Sequence, residues 1–272
     1  MSKAYVFPGQ GAQSIGMGKA LAETFPAAKA VFEEVSDALG FDLSALIWDG
    51  DIATLTLTQN AQPALMATSL AAMRALEAEG VGLAHAQCAG GHSLGEYSAL
   101  AAAGALSVGD TAKLLRTRGR AMQDAVPVGV GAMAAILGLN LDAVRGVAEE
   151  AAQGQVCEAA NDNDPAQVVV SGDKAAVERA VEIAKAKGAK RAVLLPVSAP
   201  FHCALMQPAA DKMAATEGIT TTAVAVVPTS LHRFPRKTRW ARNSSGRWPN
   251  ELNSSGSRFG ASGCATSCCQ AR

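Results

Sequence analysis

At 272 residues, with 49% hydrophobic and 18% charged side chains, the chain has the length of one large domain or two modest ones and the composition of a soluble globular protein. Basic and acidic side chains balance at 24 each, so net charge makes no case for a nucleic acid or an anionic membrane as partner. No run nears the roughly 18 uninterrupted apolar residues of a membrane span, and the first nine residues turn glycine-rich too soon for a secretory leader, so a cytoplasmic location is expected.

Residues 3–7 form a short β-type run stopped by Pro8. Residues 9–13 follow as a tight loop, and a helix is expected over 15–25. Ala30, Val31, Val35 and Ala38 recur at amphipathic spacing, which predicts a helix over 26–39. Pro63 suits the first position of a long helix reaching about Gly80. Residues 84–90 read as a strand, 94–106 as a helix and 108–122 as another, before Pro127 and Gly129 break the pattern.

A different unit follows. Strands are expected at 132–139, 155–160, 167–171 and 191–197, and helices at 141–153 and 174–187. Asn140 is placed to cap the first of these helices, and residues 161–165 read as a turn. The order βαββαβ is the split, ferredoxin-like arrangement. The expected organisation is a large α/β domain over 1–128, a small ferredoxin-like domain over 129–197 and a return to the large domain over 198–228.

The chemistry centres on Gly91-His92-Ser93-Leu94-Gly95. This is a GxSxG pattern between an expected strand and an expected helix, the setting of a nucleophile elbow. Glycine-flanked serines are also ordinary turn residues, so the flanking elements carry the reading. A serine hydroxyl needs a base to take its proton. His92 adjoins Ser93, but neighbouring side chains diverge at a sharp elbow, so His92 reads as a packed support residue. His85 opens the expected strand and His232 lies in an anomalous tail. His202 remains, in a loop just after a strand, where α/β proteins place chemistry. An oxyanion hole would use the N–H of Leu94 and a second from the loop Pro8-Gly9-Gln10-Gly11, which lacks the spacing of a phosphate loop. Arg116, Arg118 and Arg120 lie two apart on one helix, so only one or two can face a pocket, where a guanidinium would select acyl groups bearing a carboxylate. Cys88, Cys157 and Cys203 are too far apart for a disulfide framework and read as buried thiols.

Phe7-Pro8-Gly9-Gln10-Gly11-Ala12-Gln13, Gly91-His92-Ser93-Leu94-Gly95-Glu96-Tyr97-Ser98-Ala99-Leu100, Arg118-Gly119, Gly131-Ala132-Met133 and Pro200-Phe201-His202 occur in that order. Together, over residues 3–228, they resemble the malonyl-CoA:acyl-carrier-protein transacylases of bacterial fatty-acid synthesis. The resemblance implies an α/β-hydrolase-like large domain interrupted by a ferredoxin-like one. It implies that Ser93 takes malonyl from malonyl-CoA and passes it to the thiol of acyl carrier protein, with His202 as base and then acid. Gln10 and Leu94 would supply oxyanion N–H groups, Arg118 would bind the malonyl carboxylate, and Phe201 resembles the malonyl-selecting form. Glu96 belongs to the signature without an assigned role. No tightly bound cofactor or metal is implied, and a monomer is expected.

Two other readings use the same residues. One is a serine esterase or thioesterase with water as acceptor. The other is an inactive truncated pseudo-enzyme whose basic tail holds acidic partners. The tail is the reason for the second. Residues 1–228 carry 16 basic and 23 acidic side chains, whereas 229–272 carry eight basic and one acidic, with two of three tryptophans and three of six cysteines. That segment shows no helical or strand period and looks like translation in a wrong reading frame, with a divergent tail as the alternative. The family continues there with a strand, a helix and a glutamine that orients the catalytic histidine. An incomplete large domain, weak activity and poor solubility are therefore expected.

Overall fold

A computed structural model describes residues 4–83, 86 and 88–216. These divide into two units, one ending at Gly119 and the other running from Arg120 to Thr216. The expected boundary near 128 falls earlier, and residues 198–216 stay with the second unit. The chain is α/β, with a hydrolase-like first unit and a ferredoxin-like second one.

In the first unit, β1 (Ala4–Phe7) pairs in parallel with β2 (Cys88–Gly91), Phe7 opposite Gly91. A parallel pair needs a long crossover. Five helices supply it: α1 (Lys19–Thr24), α2 (Pro26–Leu39), α3 (Leu43–Asp49), α4 (Ile52–Thr56) and α5 (Thr58–Ala78). Turns occupy 15–18, so α1 starts later than expected. Helix α2 starts at a proline whose missing N–H costs nothing there, and it buries Ala28, Val31, Phe32 and Val35 on one stripe. The short α3 and α4 were not expected; each is capped by an aspartate, Asp42 accepting from the Ala45 N–H and Asp51 from the Thr54 N–H. Phe32 and Trp48 meet edge-on at 5.2 Å in the core of this unit.

Helix α5 begins five residues before Pro63, which is therefore internal rather than initial. Proline cannot donate to the carbonyl four residues back. That carbonyl, on Gln59, instead accepts from Arg116 Nη1 at 3.1 Å. An arginine thus replaces the lost helical bond, and the helix runs through. After β2 come α6 (Leu94–Ala102) and α7 (Val108–Ala125), and the division between units falls inside α7.

The second unit holds β3 (Gly131–Leu137), α8 (Leu141–Ala152), β4 (Cys157–Asp164), β5 (Gln167–Asp173), α9 (Lys174–Ala186), β6 (Arg191–Leu194), a 3-10 turn (Ala204–Met206) and α10 (Gln207–Ala214). The sheet order is β4-β5-β3-β6 with every neighbour antiparallel, the topology of the βαββαβ reading. Side chains alternate between two cores, as a strand period of two requires. Ala134, Ile136, Val168 and Val170 pack with α8 and α9. Met133, Ala135 and Val169 pack on the other face with Met122, Phe201 and Met206. That second core ties the end of α7 and the segment after β6 to this unit, which explains both shifted boundaries. The Asn140 side chain accepts from the Ala143 N–H at 2.9 Å and caps α8. Strand β4 continues to Asp164, so the turn expected at 161–165 falls at 165–166, and the register is irregular at Ala159/Asn161 and Asp162/Asp164. Strand β6 ends at Leu194, before Pro196, which has no N–H for the ladder.

Candidate active site

Strand β2 ends at Gly91 and α6 begins at Leu94, so His92 and Ser93 alone turn the chain between them. The turn is that tight because the helix backbone lies on β1. A Cβ at Gly95 would collide with the Phe7 and Pro8 carbonyl oxygens. Ser93 stands at the corner with φ 54° and ψ −111°, a region that side-chain-bearing residues rarely adopt. Such strain costs on the order of 1–3 kcal/mol and persists only where packing fixes it. The His92 N–H donates to the Phe7 carbonyl at 3.1 Å, and the Gly95 and Glu96 N–H groups close the first turn on the His92 and Ser93 carbonyls. Leu94 is buried as the first residue of α6, so its N–H lies at the positive end of the helix dipole. The His92 ring lies close against Gly9.

Helix α7 brings Arg118 to the same corner. Arg118 is only 8% exposed. Its Nη2 donates to Ser93 Oγ at 3.1 Å, its Nη1 donates to Gln62 Oε1 at 2.7 Å, and its guanidinium carbon lies 5.6 Å from the Tyr97 ring centre. Gly119 permits the approach, since a Cβ there would meet the backbone of Thr58 and Gln59. Among the described residues no carboxylate makes an ion pair with Arg118. Ser93 and Gln62, which accept from it, are both neutral side chains. Glu96, in the first turn of α6, is pushed above its ordinary carboxyl value by burial, with the Arg118 charge opposing. Of the other two arginines, Arg116 is structural: it holds Gln59 and Asn60 and lies 4.8 Å from the Phe41 ring centre. Arg120 is exposed.

Gln10 lies in the loop after β1. Its side-chain Oε1 accepts from Thr58 Oγ1 at 2.7 Å, and Thr58 Oγ1 accepts from Gln62 Nε2 at 2.9 Å. Ser93, Leu94, Arg118 and Gln10 therefore share the first unit, and hydrogen bonds run from Ser93 through Arg118, Gln62 and Thr58 to Gln10. Thr58 and Gln62 were missed in the sequence because the helix was expected to start at Pro63. Their signal was present: two polar residues at i and i+4 of one helix face.

His202 and Phe201 lie in the second unit. His202 is half-buried with φ 60°. Its loop is held by the Phe201 N–H on the Ala199 carbonyl at 3.1 Å, by Cys203 Sγ on the Pro200 carbonyl at 3.2 Å and by the Ala204 N–H on Glu158 Oε2 at 3.1 Å. Phe201 is buried with Met122, Met133 and Met206. Burial pushes the Cys203 thiol up and the Cys157 thiol to about 11, so neither is a ready thiolate at neutral pH. Cys88 is half-buried, and all three are free thiols. His85, His232 and residues 217–272 lie outside the described residues. Among the described residues no cluster of His, Cys, Asp or Glu could hold a metal ion, and no helix is long and apolar enough to cross a membrane.

The acyl transferase domain family matches residues 4–262, past the point near 228 where the motif resemblance ends. The malonyl CoA-acyl carrier protein transacylase of Bacillus subtilis is 52% identical over 215 residues, 78% of this chain and 67% of that protein. The crystal structure of an acyl-carrier-protein-S-malonyltransferase from Bartonella henselae is 56% identical with a TM-score of 0.77, covering 81% of this chain and 71% of that one. A malonyl-transacylase in complex with a type II PKS acyl-carrier protein is 49% identical with a TM-score of 0.76, covering 79% of this chain and 69% of that one. Identity of this order, over more than three quarters of the chain, makes the chain a member of the malonyl CoA-acyl carrier protein transacylases within the acyl transferase family.

Proposed function

We propose that the chain moves a malonyl group from malonyl-CoA to the phosphopantetheine thiol of acyl carrier protein through a malonyl ester on Ser93. The observation that carries this reading is the buried Arg118 guanidinium, 3.1 Å from the oxygen of a serine held at φ 54°. A serine elbow alone suits many acyl groups. A buried guanidinium beside it, hydrogen-bonded to neutral side chains, favours an acyl group ending in a carboxylate, by a bidentate charge-assisted pair.

In the first half-reaction His202 takes the Ser93 hydroxyl proton as the oxygen attacks the thioester carbonyl. The tetrahedral oxyanion is met by the main-chain N–H groups of Leu94 and Gln10, each such donor being worth on the order of 3 kcal/mol in the transition state. The C–S bond breaks, and coenzyme A leaves as a thiol with the proton held by His202. In the second half, the carrier thiol gives its proton to His202 and attacks the ester, and Ser93 leaves as the restored hydroxyl. Phe201, next to His202 in sequence, is the residue that the resemblance associates with the malonyl-selecting form. The reaction needs no metal or tightly bound cofactor in this scheme, and the proposed setting is a cytoplasmic monomer.

The acceptor decides between a transferase and an esterase. Chain loaded with radiolabelled malonyl-CoA is offered holo acyl carrier protein in water. The label is expected on the carrier thiol. Release as free malonate at the same rate with and without carrier would make the chain a hydrolase.

A further inference from the structure

We infer that Thr58 and Gln62 are positioning residues that lock the carboxylate-reading arginine and the oxyanion loop into one polarised hydrogen-bond relay; this rests on the malonyl-transfer reading. The relay has a fixed direction. A guanidinium has donors and no acceptor. Arg118 Nη1 at 2.7 Å from Gln62 therefore forces the carboxamide to present its oxygen there. The Gln62 nitrogen is then turned toward Thr58, where it donates to Oγ1 at 2.9 Å. Thr58 must spend its own proton elsewhere, and it donates to Gln10 Oε1 at 2.7 Å. Every orientation follows from the charge at one end.

The relay is also dry and rigid. Thr58 is 0% and Gln62 1% exposed, so water does not compete for these groups. Both stand one turn apart on α5, whose start is pinned by Arg116 and whose close contact with α7 passes through Gly119. Breaking the relay leaves buried polar groups unmatched, which costs more than the bond itself. The two ends have different duties. Loss at Gln62 frees the Arg118 side chain and blurs the distinction between malonyl and acetyl groups. Loss at Thr58 frees the Gln10 loop and slows both.

The test measures the rate at which Ser93 acquires an acyl group from malonyl-CoA and from acetyl-CoA, by quenched-flow mass spectrometry of the full chain. Thr58→Val, which keeps the shape and removes the hydroxyl, is expected to slow both by about tenfold, and Thr58→Ser to restore them to within about twofold. Gln62→Met is expected to lower the malonyl-to-acetyl rate ratio by about tenfold. Thr58→Val at the parental rate, Thr58→Ser as slow as Thr58→Val, or equal loss on both acyl groups in Gln62→Met would each overturn the relay. A parent chain that accepts no malonyl group refutes the functional reading instead. The relay is then judged on stability alone: melting losses of Thr58→Val and Gln62→Met are expected to be less than additive in the double variant, and strict additivity would refute it.

Discussion

In the proposed reaction a single buried cation, Arg118, sets this serine elbow apart from a general one. Arg118 touches Ser93 and Gln62 and pairs with no carboxylate among the described residues, so Arg118→Ala should cost roughly 1.5–3 kcal/mol on malonyl transfer while sparing acetyl transfer. The ratio of kcat/KM for the two acyl-CoA substrates measures this, and equal loss on both would take Arg118 out of substrate selection. Glu96 makes a second test at this scale. Burial holds its carboxyl above the ordinary 4.5, so the fold favours the protonated form. That contribution is fully present below pH 4.5 and is lost as the pH rises through the folded-state value. Glu96→Gln should therefore melt higher than the parent at about pH 8 and lose the advantage as the pH falls below the unfolded value. A difference that does not change with pH would show that ionisation of Glu96 is not what burial penalises. Ser93 stood out by its glycine spacing between an expected strand and an expected helix, whereas Arg118 was singled out from Arg116 and Arg120 by the family resemblance alone. Thr58 and Gln62 were missed because Pro63 was read as the start of their helix, which left both outside it.

At the scale of elements, close backbone contact is what shapes the site. Helix α6 can lie on β1 only while position 95 lacks a side chain, so Gly95→Val should lower stability by roughly 1–3 kcal/mol or more, read from the denaturant midpoint. A variant as stable as the parent would mean that the elbow tolerates a wider turn. The ferredoxin-like part of the second unit was read from its sequence in element order and in the Asn140 cap, while β4 runs later and β6 ends earlier than expected, and the 3-10 turn and α10 were not read. The differences have local causes. The five and seven residues of α4 and α3 are too few to show a helical period. Pro63 hid the first turn of α5, because sequence alone cannot show that Arg116 takes over the carbonyl a proline leaves unpaired. The acidic and amide residues 161–164 read as a turn, yet pairing with the apolar strand β5 outweighs their poor strand preference.

At the scale of the molecule, Ser93 and Arg118 belong to the first unit and His202 to the second. The α/β class and the ferredoxin-like order were visible from the sequence, while the boundaries were not, because the core shared by the end of α7, β3 and Phe201 is assembled from segments about 80 residues apart in sequence. Residues 229–272, with their reversed charge balance, lie outside the described residues. The central claim is that Ser93 becomes malonylated with His202 as its base. Intact-mass and peptide mass spectrometry of the full chain after brief exposure to malonyl-CoA tests it most directly. The account predicts one malonyl group, on Ser93, absent from Ser93→Ala and formed at least about a hundredfold more slowly in His202→Ala. A malonyl group on another residue, or equal labelling of the parent and Ser93→Ala, would contradict it.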